Sequence, residues 1–73
     1  MITLIGLKDC NACTMTKTIL TNNNIEFEYL LYEDLPQEEQ AKYTKMATDK
    51  NQLSMPLIIK DNELVTLQDI LNN

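Results

Sequence analysis

The chain has 73 residues, 44% of them hydrophobic and 23% charged, and eleven acids against six lysines leave a formal net charge of −5. It holds two Cys, one Gly and no His, Arg or Trp, which excludes a Ser-His-Asp triad, a Cys-His pair and any imidazole metal ligand. A single glycine, Gly6, also excludes glycine-rich phosphate loops, and the acidic balance excludes a nucleic-acid-binding face. The length suits one domain over residues 1–73, whose compact core buries about 60% of the surface that the unfolded chain exposes.

In chain order, Met1 to Ile5 is apolar and β-branched at Ile2, Thr3 and Ile5, the composition of a buried strand. Gly6-Leu7-Lys8-Asp9 breaks it. From Cys10 onward Ala12, Met15, Ile19 and Leu20 recur at helical spacing until Asn22-Asn23-Asn24, where Asn23 or Asn24 suits the left-handed position that ends a helix. Ile25 to Tyr32 alternates, with Ile25, Phe27 and Tyr29 on one face and Glu26 and Glu28 on the other. Leu30 and Leu31 at its far end indicate burial on both faces.

Pro36 suits the first turn of a second helix, expected over Pro36 to Lys50. Its acids, Glu38 and Glu39, come early, and Lys42, Lys45 and Lys50 come late, in the sense that complements the helix dipole. The thin apolar stripe of Tyr43, Met46 and Ala47 covers a sheet from one side. Pro56 to Lys60 is a short strand, Asp61-Asn62 a tight turn, and Glu63 to Val65 the hairpin partner. Thr66 with Asp69 three residues on is a capped start for a last helix ending at Leu71. The expected order is β-α-β-α-β-β-α, with the first two strands parallel and the hairpin antiparallel.

Cys10-Asn11-Ala12-Cys13 falls where the first strand hands over to the first helix. Helical spacing of three residues sets both side chains on one face, with Cα atoms roughly 5 Å apart, within the range that a disulfide tolerates. Cys10 occupies the helix N-terminus, where unpaired N–H groups and the dipole favour a thiolate, while Cys13 lies a turn deeper. The pattern supplies a nucleophile at Cys10 and a resolving thiol at Cys13. Lys8 favours the thiolate and Asp9 opposes it. Lys17, one turn beyond Cys13, faces Cys13 or a docking partner, or simply a solvated helix face. Two buried structural cysteines, or half of a metal or Fe–S site bridged between two chains, are the other uses such a pair allows.

Ser54-Met55-Pro56 opens the third strand some forty residues after the cysteines. Together with the strand-C-N-A-C-helix start and the element order, it makes the whole chain resemble the glutaredoxins of the thioredoxin-like superfamily. The small phage-type glutaredoxins and the glutaredoxin-like electron donors of ribonucleotide reductase are the nearest in pattern. The resemblance implies an α/β fold with a four-stranded mixed sheet and helices on both faces. It implies a cis-proline at Pro56, with the Met55 backbone pairing with the incoming thiol peptide. It also implies dithiol–disulfide oxidoreductase activity through Cys10 and Cys13, acting on protein disulfides, that of ribonucleotide reductase among them, or on glutathione mixed disulfides.

Lys8 and Gln52 would then receive glutathione's glycine carboxylate, and Thr66, Gln68 and Asp69 would offer polar contacts at the last helix. Val65-Thr66-Leu67-Gln68-Asp69 stands where many relatives have a Gly-Gly turn, and Asn-Ala separates the cysteines where many have Pro-Tyr. The first departure bears on glutathione, not on the dithiol. No bound cofactor or metal is expected, and the external reductant is either glutathione or a thioredoxin reductase with NADPH. A redox-inactive adaptor or an inter-chain metal-binding module is the alternative.

No apolar run approaches the ~20 residues that cross a bilayer. The first residues lack the basic region and cleavage site of a signal peptide, so the expectation is a cytoplasmic monomer without membrane or nucleic-acid partners. Charge is uneven along the chain. Residues 1–25 hold two Lys and one acid, a net +1, and residues 26–73 hold four Lys and ten acids, a net −6.

Overall fold

A computed structural model describes residues 2–52 and 54–72. Along the chain run β1 (Ile2–Gly6), α1 (Asn11–Asn22), β2 (Phe27–Leu31), a 3-10 turn (Tyr32–Asp34), α2 (Gln37–Asp49), β3 (Leu57–Lys60), β4 (Glu63–Val65) and α3 (Leu67–Leu71). The order matches the sequence expectation. Met1, expected to open the first strand, lies outside the described residues.

The four strands form one mixed sheet in the order β2-β1-β3-β4. β1 and β2 are parallel, Ile2 opposite Phe27 and Gly6 opposite Leu31. β3 runs antiparallel to β1, with Ile5 opposite Leu57, and β4 closes the hairpin, with Ile58 opposite Val65. Period-2 alternation divides the core into two layers. Ile2, Leu4 and Ile58 face α1 and α3 and meet Leu20 and Ile70. Ile5, Leu57, Ile59 and Leu64 face α2 and meet Ala47 with Tyr43 and Met46. Each such buried Leu or Ile contributes about 1.5–3 kcal/mol relative to its exposed state. Helices therefore cover both faces, and the expected stripe of α2 is the one that packs.

Several boundaries differ from the sequence reading: β1 runs on through Gly6, expected to break it, β3 starts at Leu57 rather than Pro56, and α2 ends at Asp49 rather than Lys50. Three further differences have clear local reasons. The second strand begins at Phe27, not Ile25, because the Ile25 N–H is engaged with the Leu20 carbonyl at 3.0 Å, closing α1. That bond, with Asn24 N–H to Thr21 and Asn24 at φ 58, is a Schellman end with Asn in the glycine position. The same strand ends at Leu31, since β1 offers no partner beyond Gly6, and Tyr32 enters the 3-10 turn. Pro36 stands one place ahead of the helix as its cap, with ψ 150, while its carbonyl accepts from Glu39 and Gln40 at 2.9 and 3.0 Å. Gln40 returns the contact by donating its side-chain amide to the carbonyls of Tyr32 (3.0 Å) and Leu35 (3.1 Å), tying the turn to α2.

The shortage of glycine is met by Asp and Asn. Asp9, Asn24, Asn51, Asp61 and Asn62 all have positive φ, between 53 and 64. These are the side chains that tolerate the left-handed region best after glycine. Asn51 ends α2 as Asn24 ends α1, with Gln52 N–H to Ala47 at 2.8 Å. Asp61-Asn62, left-handed at both positions, makes the hairpin turn whose twist suits the strands it joins.

Candidate active site

Strand directions collect the chemistry at one edge of the sheet. The C-terminal ends of β1, β2 and β4 and the N-terminal end of β3 lie side by side. From that edge leave the loop to Cys10, the Met55-Pro56 segment that leads into Leu57, and the start of α3 at Thr66.

Cys10 is the N-cap of α1, with φ −105 and ψ 110. Its sulfur accepts the backbone N–H of Cys13 at 3.2 Å, filling the place that an Asp or Ser oxygen takes in most helices. Its carbonyl accepts from the Thr14 N–H (3.1 Å) and the Thr14 hydroxyl (3.2 Å). The two cysteines are joined as a disulfide, with Cα atoms 5.2 Å apart. Their environments are unequal. Cys10 is half-buried, and Cys13 is 1% exposed. Asp9, left-handed beside Cys10, turns the chain from β1 into the helix, and it and Lys8 are exposed.

The Met55-Pro56 peptide bond is cis. Pro56 directly precedes Leu57, and Leu57 pairs with Ile5, so the register brings the proline beside Gly6 and the cysteine loop. Met55 packs into the layer under α2. With Gln52, Tyr32, Thr48 and Ser54 it lines a cavity of about 190 Å³. Gln52 and Met55 are thus brought together there, and Lys8 lies in the cysteine loop.

At the third segment Thr66 and Asp69 form a reciprocal capping box. The Asp69 N–H donates to the Thr66 hydroxyl (3.1 Å), and the Thr66 N–H donates to the Asp69 carboxylate (3.0 Å). The Thr66 N–H first, and the Thr66 hydroxyl beside it, hold the Asp69 carboxyl below its ordinary value, against desolvation and with a smaller contribution from Lys50. Thr66, Gln68 and Asp69 are all exposed; the Thr66 and Asp69 side chains each accept from the other residue's backbone N–H, and Gln68 lies outside that box. Among the described residues, no three or more His, Cys, Asp or Glu side chains gather to hold a metal.

Two residues of the site are not singled out by sequence reasoning. Gly6 faces α1, and a Cβ there would stand 2.9 Å from Cys13 Sγ and 3.0 Å from Tyr29 Cε1, and against Tyr29 Oη. Tyr29 reaches this point from β2, and its hydroxyl donates to the Leu7 carbonyl at 3.3 Å. Lys17 places its ammonium 4.2 Å from the centroid of the Tyr29 ring, so the helix face that carries Cys13 also carries a cation–π contact. Alternation does place Tyr29 on an inward face. Its nearness to Cys13 depends on a parallel register that no local signal encodes.

No protein-family model matches the chain, and no curated protein matches it by sequence. Solved structures do. The glutaredoxin from Methanosarcina mazei Go1 superposes with a TM-score of 0.75 at 21% identity, over 97% of this chain and 74% of that one. Methanosarcina acetivorans methanoredoxin gives 0.68 at 26% identity, over 97% and 80%. The thioredoxin-like protein BC3987 gives 0.69 at 21% identity, over 99% and 97%. By its fold this chain stands among the glutaredoxins and thioredoxin-like proteins, and it carries a C-x-x-C pair at the N-terminus of its first helix.

Proposed function

We propose that the protein is a dithiol–disulfide oxidoreductase of the glutaredoxin type, a reading carried by the unequal exposure of two cysteines at one helix N-terminus. In the reduced protein the Cys10 thiolate, favoured by the N-terminal N–H groups and the α1 dipole, attacks one sulfur of a substrate disulfide. A Cys10–substrate mixed disulfide forms, and the first substrate thiolate leaves. The Cys13 thiolate then attacks Cys10 Sγ, the second substrate thiolate leaves, and the Cys10–Cys13 disulfide closes. Two electrons pass from the dithiol to the substrate, and no metal or bound organic cofactor takes part.

The substrates fitting this reading are protein disulfides, including one of the ribonucleotide reductase kind, or glutathione mixed disulfides. The Met55 backbone beside Pro56 would pair with the substrate chain. For glutathione, Lys8, Gln52 and Gln68 supply the polar contacts, with the exposed N-terminus of α3 at Thr66. The external reductant is glutathione or a thioredoxin reductase with NADPH, and the protein works as a monomer in a reducing compartment.

Reduction of a small disulfide by the wild type and by Cys10→Ser and Cys13→Ser variants tests the reading. Wild-type activity should vanish in Cys10→Ser, and Cys13→Ser should retain exchange with glutathione mixed disulfides only. Activity that survives in Cys10→Ser overturns the reading, as do unreactive thiols with bound zinc or iron in the purified reduced protein. Reducing the oxidised wild type with glutathione and with thioredoxin reductase in parallel identifies the reductant.

A further inference from the structure

Tyr29 pairs with Leu4 in the β1–β2 ladder, so its ring lies on the α1 face and extends past the strand end toward the cysteine loop. Three contacts fix it there. Its hydroxyl is bonded to the Leu7 carbonyl, its face is capped by the Lys17 ammonium, and its edge meets the same point above Gly6 that Cys13 Sγ meets. Cys13 is at 1% exposure, and its sulfur and the Tyr29 ring both reach the space above Gly6, where a single Cβ would meet the two at once.

We propose that Tyr29, held by Lys17 and the Leu7 carbonyl, is a positioning residue for Cys13. It backs the resolving sulfur and keeps it aimed at Cys10 during ring closure. This rests on the oxidoreductase reading above. In the step concerned, the Cys13 thiolate attacks Cys10 Sγ of the mixed disulfide. The Cys10–substrate S–S bond breaks, its electron pair leaves on the substrate thiolate, and the Cys10–Cys13 bond forms. The first attack, by Cys10, takes place on the outer side of the pair and does not draw on the ring. Tyr29 therefore acts on the second step and not the first.

The test uses an aromatic disulfide whose thiolate absorbs visible light, mixed in stopped flow with the reduced protein. One thiolate is released by Cys10 attack and a second by Cys13 closure, so the two phases report the two steps separately. Tyr29→Phe keeps the ring and removes the bond to Leu7, and should slow the second phase roughly two- to tenfold, the range of one net hydrogen bond. Lys17→Met removes the ammonium from the ring face and should slow the same phase in the same sense. In both, the ratio of second-phase to first-phase rate falls. A general loss of stability would not move that ratio. Equal slowing of both phases, or an unchanged ratio in both variants, overturns the inference while leaving the oxidoreductase reading in place. A wild type that releases no thiolate overturns both.

Discussion

Gly6→Ala adds one methyl group at a point that two side chains already occupy. The new Cβ would stand 2.9 Å from Cys13 Sγ and 3.0 Å from Tyr29 Cε1, closer than carbon and sulfur normally approach, and against Tyr29 Oη. Gly6 has no positive φ, so the backbone itself accepts alanine and the whole penalty is steric. Neither neighbour yields freely, since Cys13 is in the helix and Tyr29 is tied to Leu7 and Lys17. Overpacking of this kind costs about 1–3 kcal/mol. The smaller entropy of the unfolded alanine chain returns about 0.4–1 kcal/mol, which leaves a net loss of about 1.3 kcal/mol at the centres of the two ranges. For 73 residues the unfolding entropy is about 0.15 kcal/mol/K, so the melting temperature should fall by about 9 °C. Thermal unfolding of the oxidised protein followed by circular dichroism measures it. A double-mutant cycle with Tyr29→Leu supplies the second arm, because removing the ring gives the methyl group room, and the two losses should fall short of additive. A Gly6→Ala protein as stable as the wild type, or strictly additive losses, would refute the argument that Gly6 is required by the approach of Cys13 and Tyr29.

Leu4 is fully buried among Ile2, Leu20, Ile58 and Ile70, so Leu4→Ala should cost about 2–5 kcal/mol. A chain this long has a total of roughly 4–11 kcal/mol, so the urea midpoint should fall by about a fifth or more; a change within error would show that this layer is not the core. Asp69 gives an acid dependence of known sign. Its carboxyl lies lower in the folded state than in the unfolded one, so the unfolded chain binds more protons. The stabilisation is present above the ordinary carboxylate range and is lost as pH falls through the folded value. The melting temperature of Asp69→Asn should therefore fall less than that of the wild type on acidification, and identical pH profiles would contradict the capping box. Thr66→Ala removes the other half of the box and should cost about 0.5–2 kcal/mol by the same denaturation assay.

Elements whose signals are local agree between sequence and structure. Alternation of Phe27 and Tyr29 against Glu28, the Thr66–Asp69 spacing and the Asn22–Asn24 stop each depend on neighbours within a few residues. Where the two differ, the partner is distant or the end is shared. Ile25 alternates like a strand residue, yet its N–H is taken by the end of α1 before any ladder can use it. Pro36 fits the first helical turn by its fixed φ, yet serves as the cap because Gln40 draws the preceding turn onto α2. Gln52 meets Met55 around a cavity, a grouping that no local pattern signals.

What the sequence determined by itself is therefore the list of elements and the spacing of the dithiol, because periodicity, caps and a three-residue helical step are all short-range. It also set the chemical limits: no imidazole, one glycine, and left-handed positions left to Asp and Asn. Only the tertiary structure decided how fully Cys13 is buried and that Tyr29 reaches the same space above Gly6. Burial of Cys13 and its meeting with Tyr29 above Gly6 follow from α1 packing on a sheet whose parallel β1–β2 register joins residues far apart in the chain. Such a register is selected by the free energy of the whole core, and no local run of residues encodes it.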